Sequence, residues 1–189
     1  MHIAREMIPE IHPDSGRFHM RALRASDADL VRSHTSDLRL ARNTSSIPHP
    51  LPPQATTAFI DRATAADSPD HVWVLDGQMR GMPDVMGLVS LQAMDRGQWE
   101  IGYWIAPPFW NTGLASEAVQ ALITANPVQA RTIFAWVFQD NPASARVLIN
   151  AGFVYLGDAE RHSAARGAQA PTWTYLRPMQ SRDTRSGSR

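Results

Sequence analysis

The feature that most constrains the fold is a continuous apolar run at residues 133–138, enclosed between two helix-like segments. A run without polar alternation indicates a strand buried on both faces, as in the interior of an α/β sheet. The preceding residues, 113–125, predict a helix, because their apolar side chains form one stripe and a proline follows. A strand-like segment at residues 98–106 comes before that helix. The order strand, helix, strand predicts that these two strands lie parallel in one sheet.

The remaining segments predict a mixed sheet with helices around it. Three strand-like runs separated by turns that contain Gly or Asp predict an antiparallel meander. Two helices precede the meander, and a last helix and two strands follow the buried run. The predicted order is therefore βααβββαβαββ, with strands at 17–23, 71–75, 85–92, 98–106, 133–138, 153–156 and 173–176. A parallel switch beside a meander is where α/β sheets tend to bind their ligand.

Length and charge restrict the classes of partner. The chain has 189 residues, enough for one domain, which we place at 1–179; the Ser- and Arg-rich segment 180–189 is predicted to be disordered. The first dozen residues also lack periodicity and are predicted to be loose. Basic and acidic residues number 18 each, and no run reaches the roughly 18 apolar residues of a membrane span. Nucleic acid and membranes are therefore not expected partners, and we expect a soluble cytoplasmic monomer or homodimer.

Two residue types are absent, and their absence excludes several chemistries. The chain has no cysteine, so thiol nucleophiles, disulfides and cysteine metal sites are excluded. It also has no lysine, since all 18 basic residues are arginine, so a Schiff-base enzyme and a Walker-A phosphate loop are excluded. No cluster of His, Asp and Glu has metal-ligand spacing, and we expect no metal.

Residues 105–118 run from a strand into a helix whose start carries small side chains. Backbone N–H groups at a helix start, together with the positive end of the helix dipole, can hold a diphosphate. Gly113 lets a ligand approach the backbone closely, and Ala115 keeps the surface clear. By itself the segment fits an ordinary strand-to-helix turn equally well.

A second segment, residues 141–153, favours the diphosphate interpretation of residues 105–118. Together the two resemble the GNAT (GCN5-related) N-acetyltransferases, in the branch of the ribosomal-protein N-terminal acetyltransferases. The phosphate loop of that branch has the pattern Trp-x-x-Gly-x-Ala, which residues 110–115 match. Its downstream signature has an asparagine, a serine, a leucine and a terminal Gly-Phe. That signature matches Asn141, Ser144, Leu148, Gly152 and Phe153.

The resemblance implies an α/β GNAT fold, a central sheet of about seven strands splayed at its centre and flanked by about four helices. It also implies acetyl-CoA as co-substrate. Pantetheine would lie between the strand that ends at Trp104 and Ile105 and the strand that begins at Ile133. The implied diphosphate site is the loop Trp110, Asn111, Thr112, Gly113, Leu114 and Ala115. Asn141 would hydrogen-bond the pantetheine arm, and Ser144 would place a hydroxyl near the thioester sulfur.

Two departures from the family pattern affect these expectations. The loop begins with Trp110 where relatives often have Gln or Arg, so phosphate binding must depend on backbone amides. Arg146, on the following helix, is a candidate for additional positive charge, or else a solvated surface arginine. Leu148 stands where some relatives place a tyrosine acid, so that acid is not assumed here.

Acetylation of an amine poses two proton problems: the amine must be neutral, and the leaving thiolate must be stabilised. Because there is no cysteine, direct attack in a ternary complex is the expected route. Glu100, on the central strand, is the candidate base, and Ser144 is the candidate partner of the thiolate. Each has a structural alternative: Glu100 as a carboxylate paired with an arginine, and Ser144 as a helix cap.

The acceptor is expected to bind near residues 43–53 and 161–171, which are predicted to be two flexible polar loops. A protein N-terminus and a small-molecule amine both remain open as acceptor. Two other functions compete with acetyl transfer. One is a non-catalytic acyl-CoA sensor on the same fold, and the other is a nucleotide-binding or phosphotransfer protein. The lack of lysine and of paired acidic residues for Mg²⁺ disfavours the latter.

Overall fold

The computed structural model of the chain describes residues 8–179, so the predicted tail at 180–189 lies outside the described residues. Within that range, seven strands form one mixed sheet flanked by five α-helices, which confirms the predicted α/β class. The strands are β1 (His19–Ala22), β2 (Asp70–Asp76), β3 (Gly87–Ala93), β4 (Gln98–Ile105), β5 (Thr132–Phe138), β6 (Val154–Ser163) and β7 (Ala168–Pro178). The helices are α1 (Ala28–Thr35), α2 (Leu38–Ala41), α3 (Ala55–Thr64), α4 (Leu114–Ala125) and α5 (Pro142–Asn150).

The sheet has the order β1-β2-β3-β4-β5-β7-β6. Strands β2, β3 and β4 form the predicted antiparallel meander, and β4 pairs with β5 in parallel. The pairing of β5 with β7 and of β7 with β6 is again antiparallel. The parallel switch therefore lies at the centre of the sheet, as the sequence predicts.

Two apolar layers cover the sheet. On one face, Leu114, Leu122 and Leu148 of α4 and α5 pack against alternate residues of β5. On the other face, α1 and α3 pack against β2 and β3 through Val31 and Ile60. Because side chains alternate along a strand, Tyr103 of β4 faces α4 and α5, whereas Glu100 and Trp104 face the other layer.

Two expectations about irregular segments are wrong, and one short helix was missed. Helix α2 was not predicted, because a single turn is too short to show a helical period. The start of the described chain is not loose: Ile11 pairs with Met20, and the indole N–H of Trp73 donates to the carbonyl of Pro9 at 2.9 Å. Residues 161–171 are mostly strand, with a turn only at 164–167. Most side chains of β6 are exposed, so pairing with β7, rather than a buried face, sets its register.

Candidate active site

A gap opens in the centre of the sheet. The parallel pairing of β4 and β5 covers only three positions, from Gln98 opposite Thr132 to Glu100 opposite Phe134. Beyond that point β4 continues to Ile105 and β5 continues to Phe138, but the two strands no longer pair with each other. The two strands therefore diverge into a V whose inner backbone groups are free for a ligand with amide groups.

The wide end of the V meets the loop that starts α4. Asn111 and Gly113 have positive φ angles of 61° and 84°, which turn the chain sharply into the helix. The indole N–H of Trp110 donates to the carbonyl of Ile105 at 2.7 Å, and the hydroxyl of Thr112 donates to the carbonyl of Phe109 at 2.6 Å. The first N–H groups of α4 have no acceptor within the helix, as at any helix start. They remain available for an anion.

One cavity of about 520 Å³ extends from the end of β4, at the wide end of the V, to this loop and to the start of α5. Except for Thr112, every predicted cofactor residue lines the cavity: Trp104, Ile105, Trp110, Asn111, Gly113, Leu114, Ala115, Asn141, Ser144 and Arg146. The other lining residues include Leu40, which the sequence did not single out, and Asn43 and Thr44, which begin the predicted acceptor loop. The cavity is thus shaped by two helix starts and by the segment after α2.

Asn141 caps the start of α5 with the oxygen of its side-chain amide and leaves the amide nitrogen free. Its Oδ1 atom accepts the N–H of Ser144 at 3.3 Å, which is a helix cap. Its amide N–H₂ group donates to no residue within 8–179, and the residue lines the cavity. Asn141, rather than Ser144, is therefore the helix cap, and the free donors of its amide leave room for the predicted contact with pantetheine.

Ser144 forms hydrogen bonds with a tyrosine of β4, Tyr103. The phenol oxygen of Tyr103 lies 2.8 Å from Ser144 Oγ and donates to the Ser144 carbonyl at 3.1 Å. Burial raises the pKa of Tyr103 and outweighs the hydrogen bond from Ser144, so the phenol stays neutral at physiological pH. The alternation of side chains along β4 places Tyr103 on the face that α5 covers. This alternation could have predicted from the sequence that Tyr103 lies near Ser144. Leu148, at the position of the tyrosine acid of some relatives, is fully buried in the core.

Glu100 lies on the opposite face, at the narrow end of the V. Its Oε1 accepts the indole N–H of Trp136 at 2.8 Å, and its Oε2 accepts a donor from Arg161 at 3.0 Å. The guanidinium of Arg161 also lies 4.7 Å from the centre of the Trp136 ring. The structure thus contains the arginine pairing named as the alternative for Glu100. Because the side chain remains 21% exposed, the carboxylate is still accessible.

The two segments predicted to shape the acceptor cleft meet and bind each other. The N–H of Ala164, in the β6–β7 turn, donates to the carbonyl of Ser45 at 2.8 Å. Arg166 donates to the carbonyl of Arg42 at 3.0 Å, and Asp140 accepts hydrogen bonds from both arginines. The side of the cleft near residues 42–45 is therefore a bonded wall rather than two independent loops.

Comparison with known proteins identifies this arrangement. The family model of the GNAT acetyltransferase domain matches residues 17–154. The chain belongs to the GNAT acetyltransferase family. Within it, the chain is 29% identical over 102 residues to an uncharacterised N-acetyltransferase, YoaA, of Bacillus subtilis. That match covers 52% of this chain and 58% of the relative, so it spans little more than half of either protein.

Solved GNAT structures share the fold. RimL, a ribosomal L7/L12 α-N-protein acetyltransferase in complex with CoA, superposes with a TM-score of 0.76 at 20% identity, over 89% of this chain and 98% of RimL. A spermidine N-acetyltransferase from Vibrio cholerae, with CoA and spermine, superposes with a TM-score of 0.73 at 16% identity, over 86% and 96%. At these identities the likeness shows the fold alone, and the two neighbours act on different acceptors.

Residues 8–179 contain neither a metal-binding cluster nor a membrane-spanning helix. No group of three or more His, Asp or Glu side chains there could hold a metal ion. No helix in that part of the chain is long and apolar enough to cross a membrane.

Proposed function

We propose that this GNAT protein transfers the acetyl group of acetyl-CoA to a primary amine, by direct attack in a ternary complex. The observation that carries the proposal is the cavity that runs from the end of β4, at the wide end of the V, to the glycine-containing start of α4. A long ligand with amide groups in its middle and a diphosphate at one end matches that shape. The family assignment supports acetyl-CoA as this ligand.

The cofactor would lie along the predicted residues. Its pantetheine arm would pair with the β4 backbone at Trp104 and Ile105 and contact the amide of Asn141. Its diphosphate would accept N–H groups from the loop Trp110, Asn111, Thr112, Gly113, Leu114 and Ala115. Arg146 lines the same cavity and forms no ion pair within residues 8–179. Its charge is therefore free to contact the cofactor.

The reaction forms a C–N bond and breaks a C–S bond at the thioester carbonyl carbon. The amine nitrogen attacks that carbon, loses a proton, and the CoA sulfur leaves as a thiolate that takes up a proton. The rate would come mostly from positioning and from backbone donors that polarise the carbonyl. We place Ser144 at the sulfur, where the adjacent Tyr103 hydroxyl orients it by the 2.8 Å contact.

Glu100 is the proposed base or the proposed binding site for a cationic amine. It lies at the narrow end of the V, on the face away from α4 and α5, and it does not line the cavity that holds Ser144; we assign this face to the acceptor. Its bonds to Trp136 and Arg161 hold the carboxylate in one orientation. Either a protein N-terminus or a small-molecule amine fits this description.

An acceptor screen with CoA release as the readout tests the proposed function. Acetyl-CoA is incubated with the enzyme and a panel of peptide N-termini, amino acids and polyamines, and free thiol and acetylated product are both quantified. We expect thiol release that depends on the amine and equals the acetyl-amine formed. If acetyl-CoA binds but no amine of the panel is acetylated, the chain is an acyl-CoA sensor.

Replacing Glu100 and Ser144 separately should give pH profiles of different shape. If Glu100 removes the amine proton, Glu100→Gln should lower kcat by about 100-fold at neutral pH. Higher pH should restore part of the rate, because more amine is then neutral. Ser144→Ala should lower kcat without rescue, since it acts on the leaving thiolate. The measurement is kcat and KM from pH 6 to 10 for both variants.

Two results would reassign Glu100. A Glu100→Gln enzyme with the wild-type profile would remove the base and leave water in that role. A raised KM for the amine with unchanged kcat would make Glu100 a substrate-binding carboxylate, because uniform binding energy alters KM alone.

A further inference from the structure

The loop that starts α4 lacks a positively charged side chain, although the proposed ligand there is a diphosphate. Residues 110–115 contain no arginine. The first turn of α4 instead carries a carboxylate, Glu117. The positive end of the helix dipole stabilises a carboxylate at a helix start and attracts a phosphate in the same way. The two negative groups would therefore repel each other at one site. Left unpaired, Glu117 would oppose the binding of the cofactor.

Arg17, from a distant part of the chain, pairs with Glu117 and neutralises its negative charge. It lies just before β1, 100 residues from Glu117, and its Nε and Nη2 both donate to the Glu117 carboxylate, with Nε at 3.3 Å. Nη2 also donates to the carbonyl of Thr112 at 3.0 Å. Burial alone would raise the pKa of Glu117, but hydrogen bonds from Arg17 and Ser15 outweigh it and lower the pKa. The carboxylate is therefore ionised and paired.

The guanidinium lies beside the proposed diphosphate position and retains free donors. A Cβ atom built on Gly113 would lie 3.7 Å from Arg17 Nη2. The Nη1 group of Arg17 donates to no residue within 8–179, and the side chain is 42% exposed. Arg17 thus neutralises Glu117 through Nε and Nη2, and the N–H groups of Nη1 remain available for a phosphate.

We infer that Arg17 and Glu117 together set the charge of the cofactor's diphosphate subsite: Arg17 supplies the cation that the loop lacks, and Glu117 holds it in place at a cost in affinity. The inference rests on the proposed acetyl-CoA site. It predicts opposite effects for the two members of one ion pair, whereas a pair that only scaffolds the loop predicts similar losses from either change.

Binding of acetyl-CoA to four proteins tests the inference by isothermal titration calorimetry. Relative to wild type, Arg17→Gln should weaken binding by about 10-fold or more, because an unpaired carboxylate then faces the diphosphate. Glu117→Gln should bind acetyl-CoA a few-fold more tightly, since Arg17 is released. The double variant should return to within about threefold of wild type, because neither charge remains. Arg17→Gln should also show a smaller dependence of affinity on NaCl.

A control variant and a second readout make the outcome decisive. Arg32→Gln removes an arginine from the exposed Arg32–Asp29 pair on α1, and its affinity should match wild type. Circular dichroism establishes that each variant is folded. Equal losses for Arg17→Gln and Glu117→Gln, with no recovery in the double variant, would overturn the inference and make the pair a scaffold. Because the readout is binding, failure to find an acceptor amine leaves it standing, whereas a wild type that does not bind acetyl-CoA removes both proposals.

Discussion

The Gly113→Asp variant should lose acetyl-CoA binding almost completely, with affinity reduced by about 100-fold or more, equivalent to about 2.7 kcal/mol. Gly113 has φ of 84° and immediately precedes the first N–H groups of α4. A side chain at this position would stand over those groups, and its negative charge would repel the diphosphate. The new carboxylate would also lie next to Arg17 and compete for its guanidinium. Calorimetric titration of acetyl-CoA measures the loss.

The Gly113→Asn variant separates charge from shape. Asparagine has the same size as aspartate, carries no charge, and tolerates positive φ better than most residues. We expect Asn to lose only part of the affinity that Asp loses, with both proteins folded by circular dichroism. A folded Gly113→Asp protein with wild-type affinity would place the diphosphate elsewhere on the molecule.

The second large effect concerns stability. Arg21 of β1 is buried and binds two buried carboxylates, Asp27 through both Nη atoms, at 2.9 and 2.8 Å, and Asp76 through Nε. Removing one partner of such a network leaves the other charges buried and uncompensated. Arg21→Ala should therefore lower the free energy of unfolding by about 3–5 kcal/mol at pH 7, measured by urea denaturation. Loss of less than about 1 kcal/mol would show that the carboxylates find other partners.

The same network predicts a dependence on pH. Burial would raise the pKa of Asp76, but its hydrogen bonds from Arg21 and Gln78 outweigh burial and lower the pKa. A folded-state pKa below the unfolded value of about 3.9 contributes stability above that pH, and the contribution is lost as the pH falls through the folded pKa. The stability difference between wild type and Arg21→Ala should therefore shrink below about pH 4. The exposed pair provides the control: Arg32→Ala should cost less than about 1 kcal/mol at either pH.

The sequence predicts the central architecture well because strong local signals define it. The apolar run 133–138 could only be an interior strand, and helix signals on both sides of it fixed the parallel switch where the cavity lies. The predicted cofactor residues fall around one cavity, since they follow the carboxyl ends of β4 and β5. Their roles remain proposals that the binding experiments test.

The features that the sequence did not predict depend on contacts between distant residues. The pair of Arg17 with Glu117 joins positions 100 apart, so no local pattern predicts that the two residues meet. The bond from Arg161 to Glu100 likewise forms only after the β6–β7 hairpin folds beside β5. The last two strands were predicted only as short segments, and their extension through 157–172 was missed because most side chains of β6 are exposed.

The most direct test of the acetyl-CoA site is a thermal-shift measurement on the wild-type protein with acetyl-CoA, ATP and NAD in parallel. A ligand at 100 times its Kd stabilises the folded state by about 2.7 kcal/mol, which corresponds to roughly 5–10 °C for a domain of this size. We predict that acetyl-CoA raises the melting temperature by an amount in that range, while ATP and NAD leave it unchanged. A shift with ATP or NAD and none with acetyl-CoA would contradict the account.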